Sequence, residues 1–312
     1  MKIVILDGYA LNPGDLDWHG FEALGHVELY DRTPEELIAS RIEGAEIVIT
    51  NKTPLNRDII EGSNIKYIGV LATGYNVVDI QAASENGITV TNVPSYGTQT
   101  VAQHTISLLL EICQNVGLYD HAVKSGKWHE SKDFCFFEKP IIELADKTMG
   151  IIGLGKIGQC VYRLAEAFGM KVIAYNRSIK EGFNCVSIDQ VLSQSDVISL
   201  HCPLTEETNQ LINEKSIEKM KDGVIILNTS RGGLINEADL YQYLKSNKIY
   251  AAAIDVLEVE PPRHHHPIMD LDNVIITPHI AWASKEARIR LMDTAVDNLN
   301  FYLNGQIKNQ VN

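Results

Sequence analysis

Short runs of consecutive apolar residues, rich in Val and Ile, recur along the chain between stretches with helical spacing. The first set is Lys2–Leu6, Val27–Tyr30, Ile47–Thr50, Tyr67–Val70 and Ile88–Thr91. The second is Thr148–Ile152, Lys171–Tyr175, Val197–Leu200, Val224–Asn228, Ala252–Asp255 and Val274–Thr277. Continuous apolarity, in place of strict alternation, marks strands buried on both faces, and so parallel sheets covered by helices. Such strands alternating with helical segments define the α/β class, here built twice.

Between the two sets, Ala102, Ile106, Leu109, Cys113 and Val116 step by 4, 3, 4 and 3. That spacing predicts one buried helix face over Val101–Val116, closed by Gly117, as the connector between domains. A last helix over Lys285–Leu303 is long enough to return to the first domain. The expected fold is two Rossmann-like parallel-sheet domains with a cleft between them. The first, flavodoxin-like and discontinuous, is a substrate-binding domain of residues 1–100 plus 286–312; residues 101–285 form the dinucleotide-binding domain. His121–Lys147, with Trp128, Phe134, Phe136 and Phe137, has no clear period. Its aromatics either cover the core or form an arm that packs on another subunit.

Composition narrows the function. The 312 residues are 45% hydrophobic and 21% charged, which excludes fibrous and disordered classes and suits two domains or one large α/β domain. Forty acidic against 27 basic residues give a net charge of −13, with no Lys/Arg run, so nucleic acid and anionic membrane are not expected partners. Five scattered cysteines without a C-x-x-C argue against a disulfide framework or structural zinc. No signal-peptide pattern or apolar stretch near the ~18 residues of a membrane helix is evident, so a soluble, cytoplasmic protein is expected.

The chemistry starts at Gly153-Leu154-Gly155-Lys156-Ile157-Gly158, after the run Thr148–Ile152 and before a helical stretch that reaches Phe168. In a strand–turn–helix–strand context this spacing lets a pyrophosphate sit on backbone N–H groups at a helix N-terminus. Where a carboxylate ordinarily grips the adenosine ribose, the chain has Asn176, 18 residues beyond Gly158. A neutral amide removes the repulsion toward a 2′-phosphate, and Arg177 and Ser178 are placed to bind one, with Lys180 close by. NADP(H) is therefore favoured; the alternative is that Arg177 merely stacks on adenine and both NADP(H) and NAD(H) bind.

Arg231, Glu260 and His279 each follow a predicted strand of the second domain, where ligands bind in open parallel sheets. Singly, each reads equally well as a solvated loop side chain. Together, beside a dinucleotide turn, they form a catalytic constellation.

These motifs, with His201-Cys202-Pro203-Leu204-Thr205, Asn228–Gly232, Asp255-Val256, Glu260-Pro261 and Leu71–Asn76, resemble the D-isomer-specific 2-hydroxyacid dehydrogenases over essentially the whole chain. Pro278-His279-Ile280-Ala281-Trp282-Ala283-Ser284 resembles the glycerate dehydrogenases (hydroxypyruvate reductases) among them. The resemblance implies that His279 exchanges the proton, Glu260 holds its imidazole, and Arg231 binds the substrate carboxylate. It further implies backbone contacts to substrate at Thr73 and Gly74, and to phosphate at Lys156 and Ile157. Asp255 would orient the carboxamide, while Cys202, Pro203, Thr208 and Thr229 would line the cofactor, and a homodimer is implied. Asn176 departs from the family's usual acidic residue. Trp282 stands where many relatives have a small side chain; it either trims the pocket toward small substrates or packs under its loop.

His264-His265-His266 reads as a solvated loop and not as a metal site, since three consecutive side chains do not converge and no carboxylate partner is evident. The expected activity is reduction of hydroxypyruvate or glyoxylate to D-glycerate or glycolate. The alternatives are another 2-hydroxy acid, a formate dehydrogenase (which pairs its histidine with glutamine), and a dinucleotide-sensing corepressor of the same fold.

Overall fold

Eleven strands and eleven α-helices follow one another in the computed structural model, which describes residues 1–312. The first are β1 (Lys2–Ile5), α1 (His19–Glu22), β2 (His26–Leu29), α2 (Ile38–Arg41), β3 (Ile47–Thr50), α3 (Arg57–Glu61), β4 (Tyr67–Val70), α4 (Ile80–Glu85) and β5 (Thr89–Thr91). Then come α5 (Thr98–Gln114), α6 (Val116–Lys124), β6 (Thr148–Ile152), α7 (Lys156–Ala167), β7 (Lys171–Tyr175), α8 (Ile188–Gln194) and β8 (Val197–Leu200). The chain closes with α9 (Glu214–Glu218), β9 (Val224–Asn228), α10 (Glu237–Lys245), β10 (Ile249–Ile254), β11 (Val274–Ile276) and α11 (Lys285–Leu303). No helix is long and apolar enough to cross a membrane.

Two compact units result: Met1–Gly97 with Ala283–Asn312, and Thr98–Trp282. Both boundaries lie three residues before the expected ones, since α5 already begins at Thr98 and Ser284 caps α11. The first unit holds a parallel sheet of order β2-β1-β3-β4-β5. β3 and β4 are buried at every position, as their unbroken apolar runs require. From the far end of the sequence, Asn298 on α11 donates to Asn92 O at 2.9 Å, and Val311 N donates to Val90 O at 3.0 Å.

The second unit holds a six-stranded sheet of order β11-β10-β9-β8-β6-β7, parallel throughout. Alternate residues feed opposite faces. Met149, Ile151, Ile225, Leu227 and Ala253 join one core with α5 and α7, whereas Ile152, Val224, Ile226 and Ile254 join the other. The chain reverses its winding direction at β6 and β8, a switch point at which the carboxyl ends of strands open onto a ligand position.

The connector differs from expectation. α5 stops at Gln114, Asn115 adopts a left-handed φ of 50°, and α6 follows at once with Gly117 inside it. Asparagine tolerates this conformation better than other side chains. Beyond Lys124 the aromatic segment does not cover the core: Phe134 and Phe137 are 89% and 79% exposed. Trp128 Nε1 instead donates to Phe134 O at 2.9 Å, and Phe136 lies 5.9 Å from the Tyr119 ring. β10 also starts three residues earlier than its apolar run suggests, and β10 and β11 each stop one residue short. Asp255 and Thr277 thus become loop residues, joined by their side chains at 2.5 Å.

Candidate active site

The turn after β6 is built from close approaches that only glycine permits. Gly153 has φ 102°, and a Cβ there would lie 2.6 Å from the His201 carbonyl carbon. A Cβ on Gly158 would fall 2.0 Å from Gly153 O, so the first turn of α7 lies directly against the loop. Gly155 caps α7, and nothing lies within 4 Å on its Cβ side. Open space, a glycine cap and the N–H groups beginning at Lys156 and Ile157 fit a dinucleotide pyrophosphate.

Asn176 has a part that the sequence did not reveal. Its Oδ1 accepts from Leu154 N at 2.9 Å, and its Nδ2 donates to Ser178 O at 2.8 Å. The amide ties the loop after β7 to the glycine turn and leaves Arg177 and Ser178 exposed. At the end of β8, His201 N donates to Ile152 O, and its ring meets Ser199 Oγ at 2.8 Å. Burial pushes this imidazole down to about 4 and the neighbouring Cys202 thiol up to about 11, so both are uncharged near neutrality. Thr208 Oγ1 donates to Pro203 O at 2.7 Å, closing the next loop, and buried Thr229 shares a 2.8 Å hydroxyl contact with Thr105 on α5.

Three loops after β9, β10 and β11 carry Arg231, Glu260 and His279. His279 Nδ1 lies 2.5 Å from Glu260 Oε2, with both side chains about a third exposed (29% and 33%). The other carboxylate oxygen of Glu260 accepts from Leu257 N at 2.9 Å, which anchors it to its own loop. His279 sits at φ 53°, a conformation that a non-glycine residue holds only when its surroundings impose it. Asp255 imposes it. Its backbone oxygen accepts from His279 N at 2.7 Å, while its carboxylate accepts from Thr277 Oγ1 (2.5 Å), Ile280 N (2.9 Å) and Ala281 N (2.8 Å). A carboxylate expected on the carboxamide therefore commits three of about four lone-pair sites to the histidine loop. Trp282, half-buried, follows directly on this clamp.

Arg231 is exposed and donates to Ser230 O at 2.8 Å. Next to it, a Cβ on Gly232 would lie 2.0 Å from the Leu257 carbonyl carbon, so the arginine loop lies against the backbone that carries Glu260. That contact, like the Asp255 clamp, joins residues distant in sequence and is not visible in the motifs. The carboxylate partners judged missing for the histidine run also exist: His265 meets Asp270 at 2.7 Å and His266 meets Glu237 at 3.1 Å. His266 Nδ1 accepts from Ile268 N, so its Nε2 is the donor to Glu237, whose other oxygen accepts from Glu258 N. Through Glu237, His266 is tied to the loop that carries Glu258 and Glu260. In the first unit, Thr73 and Gly74 follow β4; Thr73 Oγ1 donates to Val93 O at 2.9 Å.

A parallel sheet, a glycine-lined turn at its switch point and an imidazole–carboxylate pair at neighbouring strand ends define a nicotinamide dinucleotide-dependent dehydrogenase site. The family model described as D-isomer specific 2-hydroxyacid dehydrogenase, NAD binding domain, matches residues 106–281. A hydroxypyruvate reductase of Blautia hydrogenotrophica is 55% identical over 100% of both chains. A glycerate dehydrogenase of Methylorubrum extorquens is 43% identical, with 99% of this chain and 98% of the relative covered. Among solved structures, an acyclic imino acid reductase in complex with NADPH and D-Arg superposes with a TM-score of 0.86 at 34% identity over 100% of both chains. The chain belongs to the D-isomer specific 2-hydroxyacid dehydrogenase family and is an enzyme of that class.

Proposed function

We propose that the protein reduces a small 2-oxo acid, hydroxypyruvate or glyoxylate, to the D-2-hydroxy acid with NADPH as the favoured reductant. The observation that carries this reading is the 2.5 Å contact of His279 Nδ1 with Glu260 Oε2. The identity to a hydroxypyruvate reductase and a glycerate dehydrogenase supports the substrate. The exposed Arg177 and Ser178, beside a neutral Asn176, support the extra phosphate.

A reduced dinucleotide, with its pyrophosphate held at the glycine turn, would supply a hydride to the carbonyl carbon. The chain's residues do the rest. Glu260 accepts the Nδ1 proton of His279, which leaves Nε2 to deliver its proton to the developing alkoxide and to take one back in oxidation. Arg231 holds the substrate carboxylate with its planar fork. Trp282 trims the pocket, the backbone at Lys156 and Ile157 holds phosphate, and Cys202, Pro203, Thr208 and Thr229 line the nucleotide. Asp255 serves the cofactor through the histidine loop that it holds, since its carboxylate is fully buried. The exposed Phe134 and Phe137 lead us to assign the segment after α6 to a homodimer contact.

The test is loss of reduced-nicotinamide absorbance when purified protein meets hydroxypyruvate with NADPH, then NADH. Turnover is expected with both, and kcat/KM is higher with NADPH. Arg177→Ala should erase that preference, a change of about ten- to a hundredfold for one charge-assisted contact. His279→Ala should lower kcat by about 10²–10⁴. Absence of turnover with every small 2-oxo acid, or normal turnover in His279→Ala, would refute the proposal.

A further inference from the structure

We infer that His104, on α5, is a positioning residue for the acid–base group, acting through Thr277 and Asp255 as the donor at the head of a hydrogen-bond chain. The inference rests on the proposed role of His279. His104 lies 173 residues from Thr277 in sequence, yet its Nε2 is 3.1 Å from Thr277 Oγ1 and 3.7 Å from Asp255 Oδ1. Its side chain is 23% exposed, and the Asp255 carboxylate is fully buried.

Donor counting sets the tautomer. A threonine hydroxyl has one proton, and Thr277 gives it to Asp255 Oδ1 at 2.5 Å, since a carboxylate only accepts. The contact with His104 is then completed by the Nε2–H donating to a Thr277 lone pair. The chain runs from His104 Nε2–H to Thr277 Oγ1–H to Asp255 Oδ1. Asp255 in turn holds the N–H groups of Ile280 and Ala281 with its carboxylate and that of His279 with its backbone oxygen. Those bonds keep His279 at φ 53°, away from the backbone conformations it prefers. Take away the His104 donor and the Thr277 hydroxyl still donates to Asp255, but its oxygen is no longer held from the α5 side. The short Thr277–Asp255 bond then loosens, and the histidine loop relaxes from the geometry that meets Glu260. His104 touches neither Glu260 nor His279 in this chain of bonds; its effect passes entirely through the clamp.

Two variants separate positioning from mere packing. His104→Leu removes the donor, whereas His104→Gln offers an amide Nε2–H at comparable reach. With hydroxypyruvate as substrate, kcat of His104→Leu should fall about tenfold while KM for the oxo acid stays within about twofold, and His104→Gln should recover most of the loss. Melting temperatures measured alongside should be similar for the two variants. Wild-type kcat in His104→Leu, equal losses in both variants, or a raised KM at unchanged kcat would each overturn the assignment. His279→Ala in the same assay distinguishes the failures. If it is inactive and His104→Leu is normal, the positioning role alone falls; if it turns over normally, both readings fall.

Discussion

His201 shows how burial sets charge beside the cofactor turn. Its ordinary value of 6.5 drops to about 4 in the fold because a charged imidazole would lose its hydration there. The unfolded chain therefore binds a proton at a higher pH than the native one. The resulting stability is complete above about pH 6.5, is lost as pH falls from there to about 4, and changes no further below. His201→Gln should remove this contribution, so its melting temperature should fall less steeply than wild type over that window; parallel slopes would refute the assignment. At this scale the sequence discloses chemistry better than support. Arg231, Glu260 and His279 can be named because each follows an apolar run and a recognisable motif. That Asp255 spends its oxygens on the histidine loop, or that Gly232 lies 2.0 Å from the neighbouring loop in Cβ terms, depends on contacts between distant residues. No local pattern encodes them.

At the scale of elements, the junction of α5 and α6 turns on one residue. Asn115 carries φ 50°, where a Cβ-bearing side chain other than asparagine is disfavoured by about 1–2 kcal/mol. Asn115→Ala is expected to lower the melting temperature, and Asn115→Gly to leave it nearly unchanged, by calorimetry of both variants. Equal effects would mean that the side-chain amide, and not the backbone, sets the junction. Strands β6, β7, β8 and β9 were legible to the residue, because a strand buried on both faces writes itself as an unbroken apolar run. The helix break was not. Gly117 advertised a terminus two positions downstream, and the asparagine that supplies the left-handed residue resembles any polar position on an exposed face. The ends of β10 and β11 were misplaced for a related reason: Asp255 and Thr277 continue the hydrogen bonding of the ladder through their N–H groups while their side chains already belong to the loops.

For the molecule as a whole, the decisive feature is that α11 completes the unit that β1 begins. Arg288 forks onto Asp15 with bonds of 2.6 and 2.7 Å and also donates to Leu11 O and Ala283 O. The guanidinium hydrogen bond holds the Asp15 carboxyl below its ordinary range. Arg288→Met should speed amide hydrogen exchange in β1–β5 and leave β6–β11 at wild-type protection. Uniform acceleration across both sheets would show that the two units open together, against the separate cores described here. The same closure imposes an order on biosynthesis. A ribosome releases β1–β5 first, yet α11 and the tail that bonds to Val90 emerge last, so the earliest sheet waits while the Thr98–Trp282 unit is already complete. During that interval the nascent N-terminal segment leaves β4 and β5 unshielded, a window in which any chaperone that binds apolar strands has something to hold.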